Sequence, residues 1–277
     1  MDQSTKDSTR GGLRPRRLAF VAAVAAGLVA AASAGAVALT AHAAHAKSAG
    51  DPAARTILTG TKCAGEARLI KAALDDDWQS ADIDGDGRLD RVTVATDHSA
   101  GRACRGFVGV RTAAGTTYAT ALDRTAVPPR GVAAEVIGVP DLGMDGRAEI
   151  VVDTHRLADS ALSQLFTLAN AGLVRVHAPA FEDGTLVVEG GGVTYPRGAG
   201  CTVHGALVLS MALLHGDTYE VARHVYPVIN PANGGPLRLG DPRITSVDVP
   251  AGQLADRFWE FVSPHFQRCG GELGAGR

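Results

Sequence analysis

The chain has 277 residues, of which 27 are Lys or Arg, 29 are Asp or Glu and 34 are Gly, with aromatic residues at 5%. So much glycine with so few aromatic side chains favours a turn-rich β protein over a helix bundle. Setting aside the first 46 positions removes five basic and two acidic residues and leaves 22 against 27, a net charge of −5 that argues against nucleic acid as a partner.

Those 46 positions read as an export signal. They run from a polar start through Arg14, Arg16 and Arg17 into an uncharged stretch from Leu18 to Thr40, where eleven of 23 residues are alanine. Ala41-His42-Ala43 and Ala44-His45-Ala46 are small-x-small sites, so cleavage after Ala46 and a mature start at Lys47 are expected. The apolar stretch is also long enough to span a bilayer, and an uncleaved anchor is the alternative. Either way the arginines stay on the cytoplasmic side and the bulk lies outside, with membrane contact only through this segment. Arg16-Arg17, Leu18 and Phe20 partly match a twin-arginine signal, and no cysteine near the cleavage sites suggests lipid attachment.

Cys63, Cys104, Cys201 and Cys269 all fall in the exported part, without Cys-x-x-Cys or zinc-ligand spacing. An even count in an oxidising compartment predicts two disulfides, and of the three connectivities nearest-neighbour pairing, Cys63–Cys104 and Cys201–Cys269, is expected.

Residues 47–62, small and polar with Pro52, read as a tether to a domain over 63–277. From Ala64 to Leu74 the spacing predicts a short helix with Leu69, Ala73 and Ile70 on one face, stopped by Asp75, Asp76 and Asp77. The period then changes to two. Val92 and Val94, Phe107 to Val110, Tyr118 to Leu122, Val136 and Ile137, and Ile150 to Val152 read as strands separated by turns. Gln164 to Ala169 and Leu173 to His177 flank Asn170-Ala171-Gly172 as a hairpin with a three-residue connection. Thr185 to Val188, Val203 to Leu214 and Thr218 to Tyr226 are further strands, the last two joined across Gly216-Asp217. Asn230 to Pro236 reads as loop. Leu254, Phe258, Phe261 and Val262 predict an amphipathic helix ending before Pro264. The expected class is mainly β, with short helices near both ends of the exported domain.

The chemistry lies in Asp82-Ile83-Asp84-Gly85-Asp86-Gly87-Arg88-Leu89-Asp90. Carboxylates at positions 1, 3, 5 and 9 converge on one point, glycine at position 6 permits the sharp turn, and the carbonyl at position 7 can face inward, which suits calcium. Position 12 is Thr93 on a strand-like run, where an EF-hand would place a glutamate on a helix. Seven carboxylates between Asp75 and Asp90 are balanced in that window only by Arg88, so a cation is favoured over a bare turn.

The run from Trp78 to Val94, with its Asp-x-Asp-x-Asp-Gly-x-x-Asp core entering a strand, resembles the FG-GAP or VCBS-type repeat of integrin-α-like β-propellers and of many secreted bacterial proteins. The resemblance implies a blade of antiparallel strands braced by calcium, with Asp82, Asp84, Asp86, Asp90 and the carbonyl of Arg88 as ligands. A second copy, Asp141-Leu142-Gly143-Met144-Asp145-Gly146-Arg147-Ala148-Glu149, starts 59 residues later, close to the repeat length such blades have. Gly143 replaces a ligand there and Glu149 lengthens another, so the turn is expected to persist without metal. The resemblance covers residues 75–155, and the chain is too short for a closed seven-bladed propeller, so an open or partial array is expected.

Catalytic signatures are missing. Gly190-Gly191-Gly192 lacks the lysine or helix of a phosphate site, and Asp97-His98-Ser99 are adjacent residues whose side chains alternate in direction and form no relay. His155, His204 and His215 read as structural or solvated, and Cys201 near His204 reads as a disulfide half. The sequence therefore predicts a secreted or surface-anchored, calcium-stabilised β-repeat protein acting as a non-catalytic binding or structural module toward an extracellular protein or glycan. The alternative is an extracellular hydrolase on the same scaffold with a site assembled from distant residues.

Overall fold

The computed structural model describes residues 55–60, 63–123, 132–156, 160–177, 186–231 and 233–262, with Phe266 and Cys269. The predicted leader and residues 47–54 of the tether lie outside them. All described residues belong to one unit, Ser48–Arg277.

Alternating apolar residues produce two main sheets. The first contains β1 (Thr56–Thr59), β2 (Gln79–Ala81), β3 (Asp90–Thr96), β4 (Gly106–Arg111) and β5 (Thr117–Ala121), in the order β1-β5-β4-β3-β2. All neighbours are antiparallel except β1 and β5. The second contains β6 (Glu135–Gly138), β7 (Ile150–Arg156), β8 (Ser160–Ala169), β9 (Gly172–Arg175), β10 (Leu186–Gly190), β11 (Arg197–Cys201), β12 (Leu207–His215) and β13 (Thr218–Tyr226). β14 (Val228–Ile229) and β15 (Arg238–Leu239) form a separate ribbon, and β16 (Arg243–Pro250) closes the large sheet beside β13. Its order is β16-β13-β12-β11-β10-β8-β7-β6, with β9 also on β8. β9 and β10 divide one edge of β8, β10 pairing with Ser160–Ser163 and β9 with Phe166–Ala169. Among the described residues neither sheet closes into a barrel.

Strands β2–β5 and β6–β9 are two antiparallel four-stranded meanders, each with one acidic loop between its first and second strands. They share a core, in which Val92, Val108 and Val110 of the first pack with Val136, Ile150, Val152 and Phe166 of the second. Helix α1 (Glu66–Asp76) covers the other face of the first sheet, where Ile70 and Leu74 meet Ala95, Phe107 and Ala119. A further core lies between β7, β8 and β10–β12, including Val151, Leu165, Val188 and Leu207.

Both disulfides form as expected, Cys63–Cys104 and Cys201–Cys269, with Cα separations of 5.6 and 5.1 Å. The strand expectations hold for β3 to β10, with Thr185 of the last outside the described residues, while β2 at Gln79–Ala81 was not expected. Four other readings are corrected. Thr56–Thr59 of the predicted tether is β1, paired with β5 and tied by the Thr120 hydroxyl to the Thr59 carbonyl at 3.0 Å. The connection between β8 and β9 is two residues, because Ala169 pairs with Gly172. The strand placed at Val203 begins at Leu207, since the Thr202 hydroxyl accepts the N–H groups of His204 and Ala206 and makes a turn there. The C-terminal helix is only α2 (Leu254–Arg257), ending where Phe258 turns extended at φ −133°, with 3₁₀ turns on either side. Leu254 and Phe258 are buried as expected, but Val262 is exposed. β11, β14, β15 and β16 had no clear periodic signal.

Candidate metal centre

The first acidic loop folds around Asp82. Its carboxylate accepts the N–H groups of Gly85 and Gly87, both at 2.7 Å, while Asp84 accepts that of Asp86 at 3.2 Å and Asp86 that of Arg88 at 2.8 Å. Gly85 and Gly87 take the left-handed φ of 77° and 79°, so the chain reverses where residues with side chains would be strained. As a result Asp82, Asp84 and Asp86 each bring an oxygen within 4.8 Å of the others. Ligands about 2.3–2.6 Å from a shared calcium ion can be no more than about 5 Å apart, so these three fit one ion. Burial pushes the Asp84 carboxyl above its ordinary range, and the charge of Asp90 adds to the shift.

Asp90 is not part of that triad. It is buried, and one oxygen accepts the N–H groups of Ile83 and Asp84, at 2.8 and 3.3 Å, while the other accepts that of Ala113 at 2.8 Å. A carboxylate offers about four lone-pair positions, so three bonds leave one for an ion. Asp90 first of all braces the loop against its own strand and the β4–β5 turn. The exposed Arg88 side chain reaches the Ala113 carbonyl at 2.9 Å.

The second loop has the same skeleton with different chemistry. Asp141 accepts the N–H groups of Asp145 and Gly146 at 3.1 Å, and Asp145 accepts that of Arg147 at 3.0 Å. Glu149 stands where Asp90 does, accepting the Leu142 N–H at 2.8 Å. Gly143 supplies no carboxylate, and the Arg147 guanidinium folds onto Asp145 through Nε and Nη2 at 3.1 and 2.6 Å. A side-chain cation thus neutralises Asp145, and the contact raises the Arg147 pKa. The loops also touch: the Ala148 N–H donates to the Asp82 carbonyl at 2.7 Å, and the Arg147 stem lies where a Cβ on Gly85 would be, 2.6 Å from its Cγ. Neither this contact nor the role of Arg147 has a signal in the motif.

The other candidates do not assemble. Asp97 accepts both the hydroxyl and the N–H of Ser99, at 2.6 and 2.9 Å, which makes a capped turn. His204 is exposed in the turn before β12, and exposed His215 faces Glu220 at 3.8 Å. His155 is partly buried on β7, with Nδ1 unpaired. Among the described residues, no helix is long and apolar enough to cross a membrane. Comparison with known protein families, curated proteins and solved structures finds no match for this chain.

Proposed function

We propose that this chain is a secreted or surface-anchored β-repeat protein whose first acidic loop holds calcium, and that it acts as a non-catalytic binding or structural module. The observation that carries the reading is the convergence of Asp82, Asp84 and Asp86 within 4.8 Å, in a loop whose N–H bonds hold them there. These three supply the side-chain ligands, the carbonyl of Arg88 the main-chain one, and Asp90 its remaining lone pair. When bound, calcium offsets carboxylate repulsion and ties the start of β3 to the β2 side of its meander. The two meanders, with equivalent loops and a shared face-to-face core, support two consecutive blades of an open, propeller-like array of FG-GAP or VCBS type. Two disulfides fit an oxidising compartment outside the cytoplasm.

Calorimetric titration of the purified protein with calcium should give one saturating site, and chelation should lower Tm. An ion held by the folded chain alone stabilises by RT ln(1 + [L]/Kd), about 2.7 kcal/mol at a hundredfold excess over Kd. Lack of heat and of Tm change at millimolar calcium would refute the metal assignment, and turnover of peptide, ester or glycan panels that a histidine substitution abolishes would replace the module reading with an enzyme.

A further inference from the structure

Three of the four strands that end the two main sheets have their outer edges covered. β1 lies against β9, where the Thr59 hydroxyl donates to the Leu173 carbonyl, and β2 meets β6, where the Gln79 amide donates to the Val136 carbonyl at 2.6 Å. The fourth, β16, pairs with β13 on one side, and on the other it has no strand partner among the described residues. Arg243 to Asp248 are all exposed, with Ile244 at 60% and Val247 at 39%.

An edge strand that must stay unpaired usually carries a bulge, a lysine or a central proline. β16 has none of these: its register with β13 is unbroken, and its prolines, Pro242 and Pro250, only flank the run Arg243–Val249. Ile244, Thr245, Val247 and Val249 are β-branched, which suits pairing. The apolar surface continues inward, because Ile244 shares a sheet face with Leu209, Met211 and Leu213 of β12, the last two 44% and 46% exposed. Arg243 and Asp248 are the only charges in the run, one near each end. Antiparallel pairing of two identical runs sets each arginine beside the other's aspartate, whereas parallel pairing sets like charges together. A twofold axis normal to the sheet produces the antiparallel arrangement.

We propose that the free edge of β16 binds a second copy of this chain, joining the two large sheets across a twofold axis at Ser246. Arg243 then faces the partner's Val249, next to the partner's Asp248, and Thr245 faces the partner's Val247. The proposal goes beyond the binding-module reading and does not rest on the calcium loop.

Sedimentation equilibrium of the purified protein from micromolar to millimolar concentration should show a monomer–dimer equilibrium. Ser246→Arg sets two arginines opposite each other at the axis, while in the monomer the new side chain has Glu220 beside it, 3.2 Å from Ser246 Oγ, so the dimer should weaken at least tenfold with the fold intact. Arg243→Asp should also weaken it, and Arg243→Asp/Asp248→Arg should restore it. Ser246→Cys keeps the test valid if the arginine variant does not fold. All four native cysteines are in disulfides, so the added thiol is the only free one, and opposite residues of an antiparallel pair have Cα atoms about 4.5–5.5 Å apart, within reach of a disulfide. Mild oxidation should link this variant into a covalent dimer, whereas Val203→Cys, at a position 82% exposed in the turn before β12, should stay unlinked. A protein that is monomeric at millimolar concentration, a dimer that Ser246→Arg leaves unchanged, or equal linking of the two cysteine variants would overturn the proposal. Binding of a capped hexapeptide of alternating Val and Thr by a protein that stays monomeric would give the edge to another protein's strand, and would overturn it as well.

Discussion

Position 9 of the two acidic loops holds Asp90 and Glu149, 1% and 2% exposed, each bonded to the N–H one residue after its loop's first aspartate. Burial raises the Glu149 pKa well above its ordinary value, with the charges of Asp145 and Asp141 adding to the shift. The folded protein then holds this proton more tightly than the unfolded chain, so the stabilising contribution is complete below the unfolded pKa near 4.5 and is lost as pH rises through the higher folded value. Glu149→Gln keeps an acceptor for Leu142 and cannot ionise. Its denaturation midpoint should fall less steeply with rising pH than that of the parent, and parallel curves would show that Glu149 is not the group responsible. If Asp82, Asp84 and Asp86 hold calcium as proposed, Asp84→Ala should abolish the rise in Tm on adding calcium, whereas Asp145→Ala, in a loop that already uses Arg147 as its cation, should leave that rise intact. Equal losses would remove the distinction between the loops.

At the scale of elements, β11 and the C-terminal segment depend on each other. A Cβ on Gly198 would lie 2.1 Å from the Glu260 carbonyl oxygen and one on Gly200 2.1 Å from the Trp259 ring, so only a strand with these glycines admits the 3₁₀ turn Trp259–Phe261. Glu260 is buried there, and one oxygen accepts the Ser210 hydroxyl at 2.8 Å and Arg223 Nε at 2.6 Å. Removing one partner of a buried ion pair costs about 3–5 kcal/mol, and because Arg223 is partly exposed Glu260→Ala should cost about 3 kcal/mol in urea denaturation. Gly198→Ala should cost about 1–3 kcal/mol through overpacking. A loss below about 0.5 kcal/mol in both would show that the segment is not docked as described.

The disulfides act on the whole molecule, since each closes a long loop, with sequence separations of 41 and 68. In the chain-entropy model each constrains the unfolded chain by about 4 kcal/mol. Replacing Cys63 and Cys104 together by Ser should lower stability by roughly that amount and shift Tm without abolishing the proposed calcium uptake, because the bridge joins the approach to α1 to the turn before β4 and leaves Asp82, Asp84 and Asp86 in place. Loss of uptake in a folded variant would mean that the bridge also shapes the loop.

The features that can be read along the chain are local. The loop at Asp82–Asp90 is written in consecutive residues because its turn closes through N–H groups two to five positions away, and β3, β4 and β12–β13 follow from alternation because side-chain direction in a strand repeats every two residues. The disulfide pairing was legible because four cysteines allow few choices. Features that depend on distant partners emerge on folding alone. β16 is nearly all exposed and carries too little apolar alternation to announce itself, yet it pairs with β13 along eight residues. The contact between Asp82 and Ala148 arises from packing one meander on the other, and no periodicity within either strand encodes which meander it will meet.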